Sequence, residues 1–267
     1  MTIYIGTGGT PTSAKDRSTL SGLKRIHELR LNAMEVEFVY GVRMSTEMAE
    51  DVGKLAKKLK ISLSIHAPYY INLTSTEKKK IEASKKRIIK SCERGHVMGA
   101  KIVVFHPAYY GKLTAEVTYE RVKKECEEIV DRLKEKGIDD VIIGLETTGK
   151  KSQFGNIDEC VRIAKEVKGC GVCVDWAHVY ARNGGDIDYN EVIDKVLSLK
   201  NKHIHSHFSG IKFSDKGERS HLTISSGQPE YEGLVKEIKK RKLDITLISE
   251  SPNLETDALK LKEMLNK

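Results

Sequence analysis

One pattern repeats along the chain: a short run of β-branched and other apolar residues, a loop, and a stretch that is apolar on one helical face. Met48, Val52, Leu55 and Leu59 show the helical spacing. Glu255–Lys267 predicts a closing helix. Eight strands are predicted, over Ile3–Gly6, Met34–Val39, Ile61–His66, Ile102–His106, Val141–Glu146, Val172–Asp175, Lys202–Phe208 and Ile245–Glu250.

Eight strand–helix units in 267 residues indicate an α/β fold, the (β/α)8 or TIM barrel, whose typical size is about 250 residues. A doubly wound sheet needs fewer units, and no GxGxxG motif opens a helix. Because no linker or low-complexity tract divides the chain, we expect residues 1–267 to form a single TIM-barrel domain.

Composition narrows the class of protein. No run approaches the roughly 18 apolar residues of a membrane span, and the N-terminus lacks a basic stretch followed by an apolar run. Five scattered cysteines argue against a disulfide framework and favour a reducing cytoplasm, and we interpret Cys170 and Cys173 as small buried residues. The net charge of +8 favours an anionic partner such as nucleic acid, although lysines within 78–90 and 236–242 also fit solvated helix faces.

The candidate chemistry lies where predicted strands end, because the active site of such a barrel is at the C-terminal ends of its strands. The third to the eighth strands each bring a His, Asp or Glu there. These residues are His66, His106, Glu146, Asp175 with His178 three residues later, the run from His203 to His207, and Glu250. Alternation along the third, fifth, sixth and eighth strands turns each polar end into the barrel mouth.

Converging carboxylates and imidazoles predict a metal site, because they are hard to bury together without a cation. Each residue alone could be a hydrogen-bonded histidine or a helix cap. Mixed His and carboxylate ligands suit zinc, manganese or iron. With Glu218 and His221 there are about nine candidate ligands, which implies two or three ions.

The ordered motifs resemble those of the endonuclease IV family of apurinic/apyrimidinic endonucleases over most of the chain. The loop Gly8–Ser13 and the short second unit are similar to its archaeal branch. The resemblance is carried by Ser64–Leu73, Val104–Pro107, Gly144–Thr148, Gly171–His178, His207-Phe-Ser-Gly, His221 and Ile248–Pro252.

The resemblance implies a xylose-isomerase-like barrel with three Zn²⁺ ions at its mouth, with Mn²⁺ an alternative at one site. His66 and His106 would hold the first ion, and Glu146 would bridge it to the second. The second would take Asp175, His207 and Glu250; His207 is preferred over His205 because of the Phe-Ser-Gly that follows it. The third would take His178, His221 and a carboxylate. The family has an Asp two residues before that last His, where this chain has Arg219, and the nearest acid is Glu218.

The implied activity is hydrolysis of the phosphodiester 5′ to an abasic site in double-stranded DNA by a metal-bound hydroxide, as in base excision repair. Glu146 would orient or deprotonate the hydroxide, and Tyr69 would lie on the DNA-recognition surface. Bacterial members carry a longer loop after the second strand, with an arginine that probes the damage. Here Gly41–Ser45 is short and Arg43 does not match that arginine, so we expect damage recognition to be weaker, altered or lost.

Two other functions stay open. A metal-dependent sugar isomerase or epimerase of the same superfamily would use the same rim, and Glu35 and Glu37 suit either activity. A barrel that only binds nucleic acid would explain the charge but not the ligand set. No protein partner is inferred, and a monomer is expected. Basic residues that follow strand ends favour DNA or are solvated surface; they are Lys112, Lys150, Lys151, Arg182 and Lys212.

Overall fold

The computed structural model describes residues 1–267, and its centre is a closed barrel of eight parallel strands. All eight predicted strands are confirmed, with ends that shift by at most two residues. The barrel strands, in their order around the barrel, are β1 (Ile3–Gly8), β2 (Ala33–Glu37), β3 (Ser62–His66), β4 (Ile102–Phe105), β6 (Ile142–Glu146), β8 (Cys170–Asp175), β9 (Ile204–Phe208) and β12 (Ile245–Ser249). β12 pairs with β1 and so closes the barrel.

Nine helices surround the strands, and six of them begin where a Ser, Thr, Asn or Asp side chain accepts a hydrogen bond from a backbone N–H two or three residues later. Helix α5 has a full capping box between Asn156 and Glu159. The helices are α1 (Thr19–Glu28), α2 (Thr46–Leu59), α3 (Lys78–Met98), α4 (Ala115–Glu135), α5 (Ile157–Glu166), α6 (Trp176–Arg182), α7 (Tyr189–Leu197), α8 (Glu232–Arg241) and α9 (Leu254–Asn266). None is both long and apolar enough to cross a membrane.

Two small sheets lie outside the barrel and were not predicted from the sequence pattern. β5 (Ala108–Tyr109) pairs with β7 (Gln153–Phe154), and β10 (Gly210–Ser214) forms an antiparallel hairpin with β11 (Gly217–Leu222). The hairpin follows β9 almost directly, so it stands at the C-terminal end of the barrel. It therefore adds side chains to the face where the strand ends meet.

The main apolar core lies between the barrel and the helices, and a smaller apolar group that includes Ile102, Val104 and Cys173 packs separately from it. Leu63 and Ile65 of β3 belong to the main core, which leaves the alternate side chains for the barrel interior. All five cysteines are free thiols, Cys173 is buried, and Cys170 is half-buried. The smaller group lies inside the barrel, below the polar side chains at the C-terminal ends of the strands.

Glu255 in α9 anchors the loop after β1, and we expect Glu255→Gln to lower the free energy of unfolding by about 1–3 kcal/mol. The carboxylate is 5% exposed and accepts hydrogen bonds from Thr12 N at 3.0 Å and Ser13 N at 2.8 Å. Burial opposes its charge, but these bonds and its own backbone amide lower the pKa of Glu255 to about 2. The stabilisation is therefore present at neutral pH and declines as pH falls toward that value. Urea unfolding of the wild type and of Glu255→Gln measures the difference in the free energy of unfolding.

The matched control is Glu263→Gln, on the exposed surface of the same helix. It should change the free energy of unfolding by less than about 0.5 kcal/mol. Equal losses in the two variants would contradict the anchoring role of Glu255.

Candidate metal centre

Nine His, Asp and Glu side chains meet at the C-terminal mouth of the barrel. Six come from ends of barrel strands, one from the first turn of α6, and two from the β10–β11 hairpin. They are His66, His106, Glu146, Asp175, His207, Glu250, His178, Glu218 and His221. The side chains predicted from the sequence are therefore brought together by the fold.

Glu146 connects the first two groups of donors. Its Oε2 lies 3.1 Å from His66 Nε2 and 3.0 Å from His106 Nε2, and we call these three residues the first cluster. Its Oε1 lies 3.2 Å from His207 Nδ1. His66 Nδ1 donates to the Ala67 carbonyl oxygen at 2.7 Å, so Nε2 is the ring nitrogen that faces Glu146 and His106.

The second cluster consists of Glu146, Asp175, His207 and Glu250, whose donor atoms lie within 4.8 Å of one another. Asp175 is fully buried; its Oδ1 accepts from the backbone N–H of His178, whereas its Oδ2 has no hydrogen-bond partner. A buried carboxylate oxygen without a partner is costly. A cation shared with Glu146 and Glu250 would satisfy this oxygen, so the residues fit a bound metal.

The third cluster contains Asp175, His178 and His221. His178 Nε2 lies 3.0 Å from His221 Nε2 and 3.5 Å from Glu218 Oε2. Behind the cluster, His178 Nδ1 donates to the Thr147 carbonyl oxygen at 2.9 Å, and His221 Nδ1 donates to the Glu250 carbonyl oxygen at 3.2 Å. Both imidazoles therefore direct Nε2 toward the same space, with the Glu218 carboxylate beside it.

A β-bulge puts Glu218 into this cluster. Ile211 pairs with His221 and Phe213 with Glu218, and the register shifts by one residue between Lys212 and Phe213. Residues three apart face opposite sides of a regular strand, but the extra residue puts Glu218 and His221 on the same face. Arg219 is left exposed at the bulge. The chain therefore offers a carboxylate to His221 even though Arg219 stands at the position expected for one.

The neighbouring carboxylates raise the pKa of two imidazoles of this centre, those of His66 and His178. Burial opposes the charge on His66, but the hydrogen bond to Glu146 and the charge of Glu37 raise the pKa of His66 to about 10. Burial is also outweighed at His178, whose pKa is raised to about 10 by Asp175 and Glu146. A divalent ion supplies the same positive charge and would displace these protons.

Two further residues for which the sequence predicted a role are Tyr69 and Arg182. Tyr69 is 54% exposed, and its ring centroid lies 5.2 Å from that of His66, so it stands beside the first cluster. Arg182 is not a free rim cation, because it donates to the carbonyl oxygens of Lys150 at 2.7 Å and Gln153 at 3.0 Å. Arg182 therefore fixes the loop after β6, and its contact with DNA stays a prediction.

Glu35 and His205 form a buried pair that was not predicted, although each of the two residues lies in a predicted strand. Glu35 Oε2 accepts from His205 Nε2 at 3.0 Å, inside the barrel and next to the second cluster. A glutamate within a predicted strand was the available signal. Its partner is 170 residues away in the sequence, which hides the pairing.

Comparison with known proteins supports the fold. Residues 23–267 match the family model described as the xylose isomerase-like TIM barrel. An uncharacterised protein of Methanocaldococcus jannaschii is 39% identical over 99% of this chain and 97% of its own length. A protein of Mycoplasma mobile named "probable endonuclease 4" is 29% identical over 76% of this chain and 73% of its own. A D-tagatose 3-epimerase-like protein shares the fold with a TM-score of 0.75 and 21% identity, covering 98% of this chain and 96% of that one.

Proposed function

This chain belongs to the xylose isomerase-like TIM-barrel family, and we propose that within it the protein is a zinc-dependent apurinic/apyrimidinic endonuclease. It would hydrolyse the phosphodiester 5′ to an abasic site in duplex DNA. The observation that carries the proposal is the convergence of nine donor side chains into three adjoining clusters that share Glu146 and Asp175. The likeness to a protein named as an endonuclease 4 supports the same activity.

Each cluster would hold one ion, with Glu146 between the first and second and Glu218 completing the third. Bound zinc supplies Lewis acidity that activates water and offsets phosphoryl charge. Glu146 directs one carboxylate oxygen to each of two clusters, so it orients the attacking water between them and accepts its proton. Tyr69 covers the first cluster and would contact the DNA next to the damaged nucleotide.

A basic surface next to the third cluster supports a polyanionic substrate. We call it the hairpin surface, and its backbone is continuous, since Lys151 N–H donates to the Lys216 carbonyl oxygen at 3.1 Å. Its five cations are exposed and take part in no ion pair, whereas helix lysines such as Lys80 and Lys240 pair with glutamates. The hairpin surface consists of Lys150, Lys151, Lys212, Lys216 and Arg219.

We expect the triple change of Lys212, Lys216 and Arg219 to glutamine to weaken DNA binding and reduce its salt dependence. Each lost phosphate contact lowers the slope of log K against log salt by about 0.9. Fluorescence anisotropy with a duplex that carries an abasic-site analogue, at several salt concentrations, measures both quantities. Zinc content should stay unchanged, because none of the three side chains is a proposed ligand.

The matched control changes Lys57, Lys58 and Lys60 to glutamine, at the end of α2 on the opposite face of the barrel. It removes the same formal charge. If the slope of log K against log salt falls equally in both triple variants, then net charge, and not the hairpin surface, governs DNA binding.

The proposed activity is tested by incubating the zinc-loaded protein with a duplex that carries one abasic-site analogue. We expect a single cut on the 5′ side, its loss on chelation and its return with zinc, and no cut in the undamaged duplex. A protein that holds zinc and leaves the abasic duplex intact would contradict the proposal.

A sugar epimerase is the second candidate, and Glu37 favours it. Donor oxygens of Glu35, Glu37 and Glu250 lie within 4.8 Å of one another, and Glu37 Oε1 is buried without a partner. A carboxylate beside a metal centre can accept hydrogen bonds from substrate hydroxyls. Exchange of a carbon-bound hydrogen of ketohexoses with D₂O, followed by NMR, would detect this activity.

A further inference from the structure

His207 is oriented differently from the other histidines of the centre. His66, His178 and His221 each turn Nε2 toward the cluster and donate from Nδ1 to a backbone carbonyl oxygen. His207 turns Nδ1 toward the cluster, at 3.2 Å from Glu146 Oε1 and 3.4 Å from Glu250 Oε1. Its Nε2 therefore points away from the cluster, deeper into the barrel.

Glu35 is the group that His207 Nε2 meets there. Glu35 Oε1 lies 2.8 Å from that nitrogen, and both residues are fully buried. The contact is not in line for a hydrogen bond, yet neither atom has a partner elsewhere. The other oxygen of Glu35 accepts from His205 Nε2. One carboxylate thus faces two imidazoles with one oxygen each, hydrogen-bonded to His205 and in close contact with His207.

We propose that Glu35 is a positioning residue for the metal centre: it keeps the hydrogen of His207 on Nε2 and so directs the Nδ1 lone pair to the ion of the second cluster. A neutral imidazole carries one N–H, so the partner of one nitrogen decides what the other can do. A carboxylate behind a ligating histidine also makes that ligand more basic. His66, His178 and His221 hydrogen-bond backbone carbonyl oxygens through Nδ1. His207 differs from them because the nitrogen that it turns away from the cluster faces a carboxylate that is not itself a proposed ligand. The inference rests on the metal centre of the proposed function.

Glu35→Gln tests the proposal with almost no change in shape. The amide offers one acceptor oxygen and one NH₂ group, so it cannot accept from both His205 and His207. One of the two imidazoles must then move its hydrogen to Nδ1, and for His207 this blocks metal binding. Glu255→Gln is the matched control, since it removes a buried carboxylate of the same barrel outside the centre.

Three measurements on the purified chain give the readouts. Long-range ¹H–¹⁵N NMR of the imidazole rings, assigned with a His207→Asn sample, reports which nitrogen carries the hydrogen. Competition with a zinc chelator, followed by elemental analysis, gives the affinity of each ion. Thermal melts with and without zinc give the shift in Tm that zinc causes.

In the wild type we expect the hydrogen of His207 on Nε2. In Glu35→Gln, with or without zinc, we expect altered ring signals from His207. One zinc ion should bind about 10- to 100-fold more weakly in Glu35→Gln, with a smaller zinc-induced shift in Tm. Glu255→Gln should lower the Tm of both forms equally. If Glu35→Gln does not fold, Glu35→Asp keeps the charge with a shorter reach and should give a smaller loss of zinc affinity.

Wild-type zinc affinity together with an unchanged His207 tautomer in Glu35→Gln would overturn the proposal. An equal fall in Tm with and without zinc, at unchanged affinity, would also overturn it and leave Glu35 a purely structural role. None of these readouts uses DNA. A wild-type chain that binds zinc but does not cut DNA would therefore remove the proposed function and leave the role of Glu35 standing.

Discussion

Glu146→Gln should reduce the rate of abasic-site incision by about a thousandfold or more. The carboxylate is fully buried and its two oxygens face different clusters, so it is the one side chain that both would share as a negatively charged ligand. Burial would raise the pKa of Glu146, but His106 and His207 outweigh it and hold that pKa well below its ordinary value. The group is therefore an anion at neutral pH, and a neutral amide cannot replace it as ligand or as proton acceptor.

Single-turnover incision with enzyme in excess measures the effect without a contribution from product release. Glu255→Gln controls for the loss of a buried carboxylate and should keep the wild-type rate at a temperature where it is folded. A Glu146→Gln protein that retains more than a tenth of the wild-type rate would show that the reaction does not pass through this residue.

The polar residues at the mouth of the barrel could be predicted from the sequence, because strand alternation and barrel geometry act locally. Each of His66, Glu146 and Asp175 ends an apolar run, and its neighbours two residues back share its face. Parallel strands in a closed barrel bring such ends to one mouth. The eight strands follow from the same periodicity, and their ends moved only where pairing stopped a residue or two early or late.

The pair of Glu35 and His205 could not be predicted, because it depends on which interior side chains meet inside the barrel. β2 and β9 are not hydrogen-bonded to each other, so their contact exists only after all eight strands have closed. The β10–β11 hairpin was missed for another reason. Its residues are mixed polar and apolar with little alternation, and its register depends on a bulge that no local preference specifies.

Glu218→Ala should lower the incision rate by about a hundredfold and remove one zinc ion from the protein. Its carboxylate, 3.5 Å from His178 Nε2, is the one acid that β11 adds beside His178 and His221. Asp215→Ala is the matched control, because that acid is exposed at the turn of the same hairpin. Elemental analysis counts the ions, and the same incision assay gives the rate. Full zinc content in Glu218→Ala would show that Asp175, His178 and His221 hold the third ion unaided.

The bulge predicts which changes restore the third cluster and which do not. In the Glu218→Ala background, Arg219→Asp should fail to recover the ion, because residue 219 lies at the exposed bulge on the side of Lys212. Deleting Arg219 from the wild-type chain should instead keep the ion, since it removes the bulge and leaves Glu218 two residues before His221, on the same face of a regular strand. Recovery by Arg219→Asp, or loss of the ion on deletion, would mean that the bulge does not set this ligand. If both results are as expected, the spacing of the acid from His221 and the pairing of β10 with β11 act as one unit, in which a change in either is offset only by a change in the other.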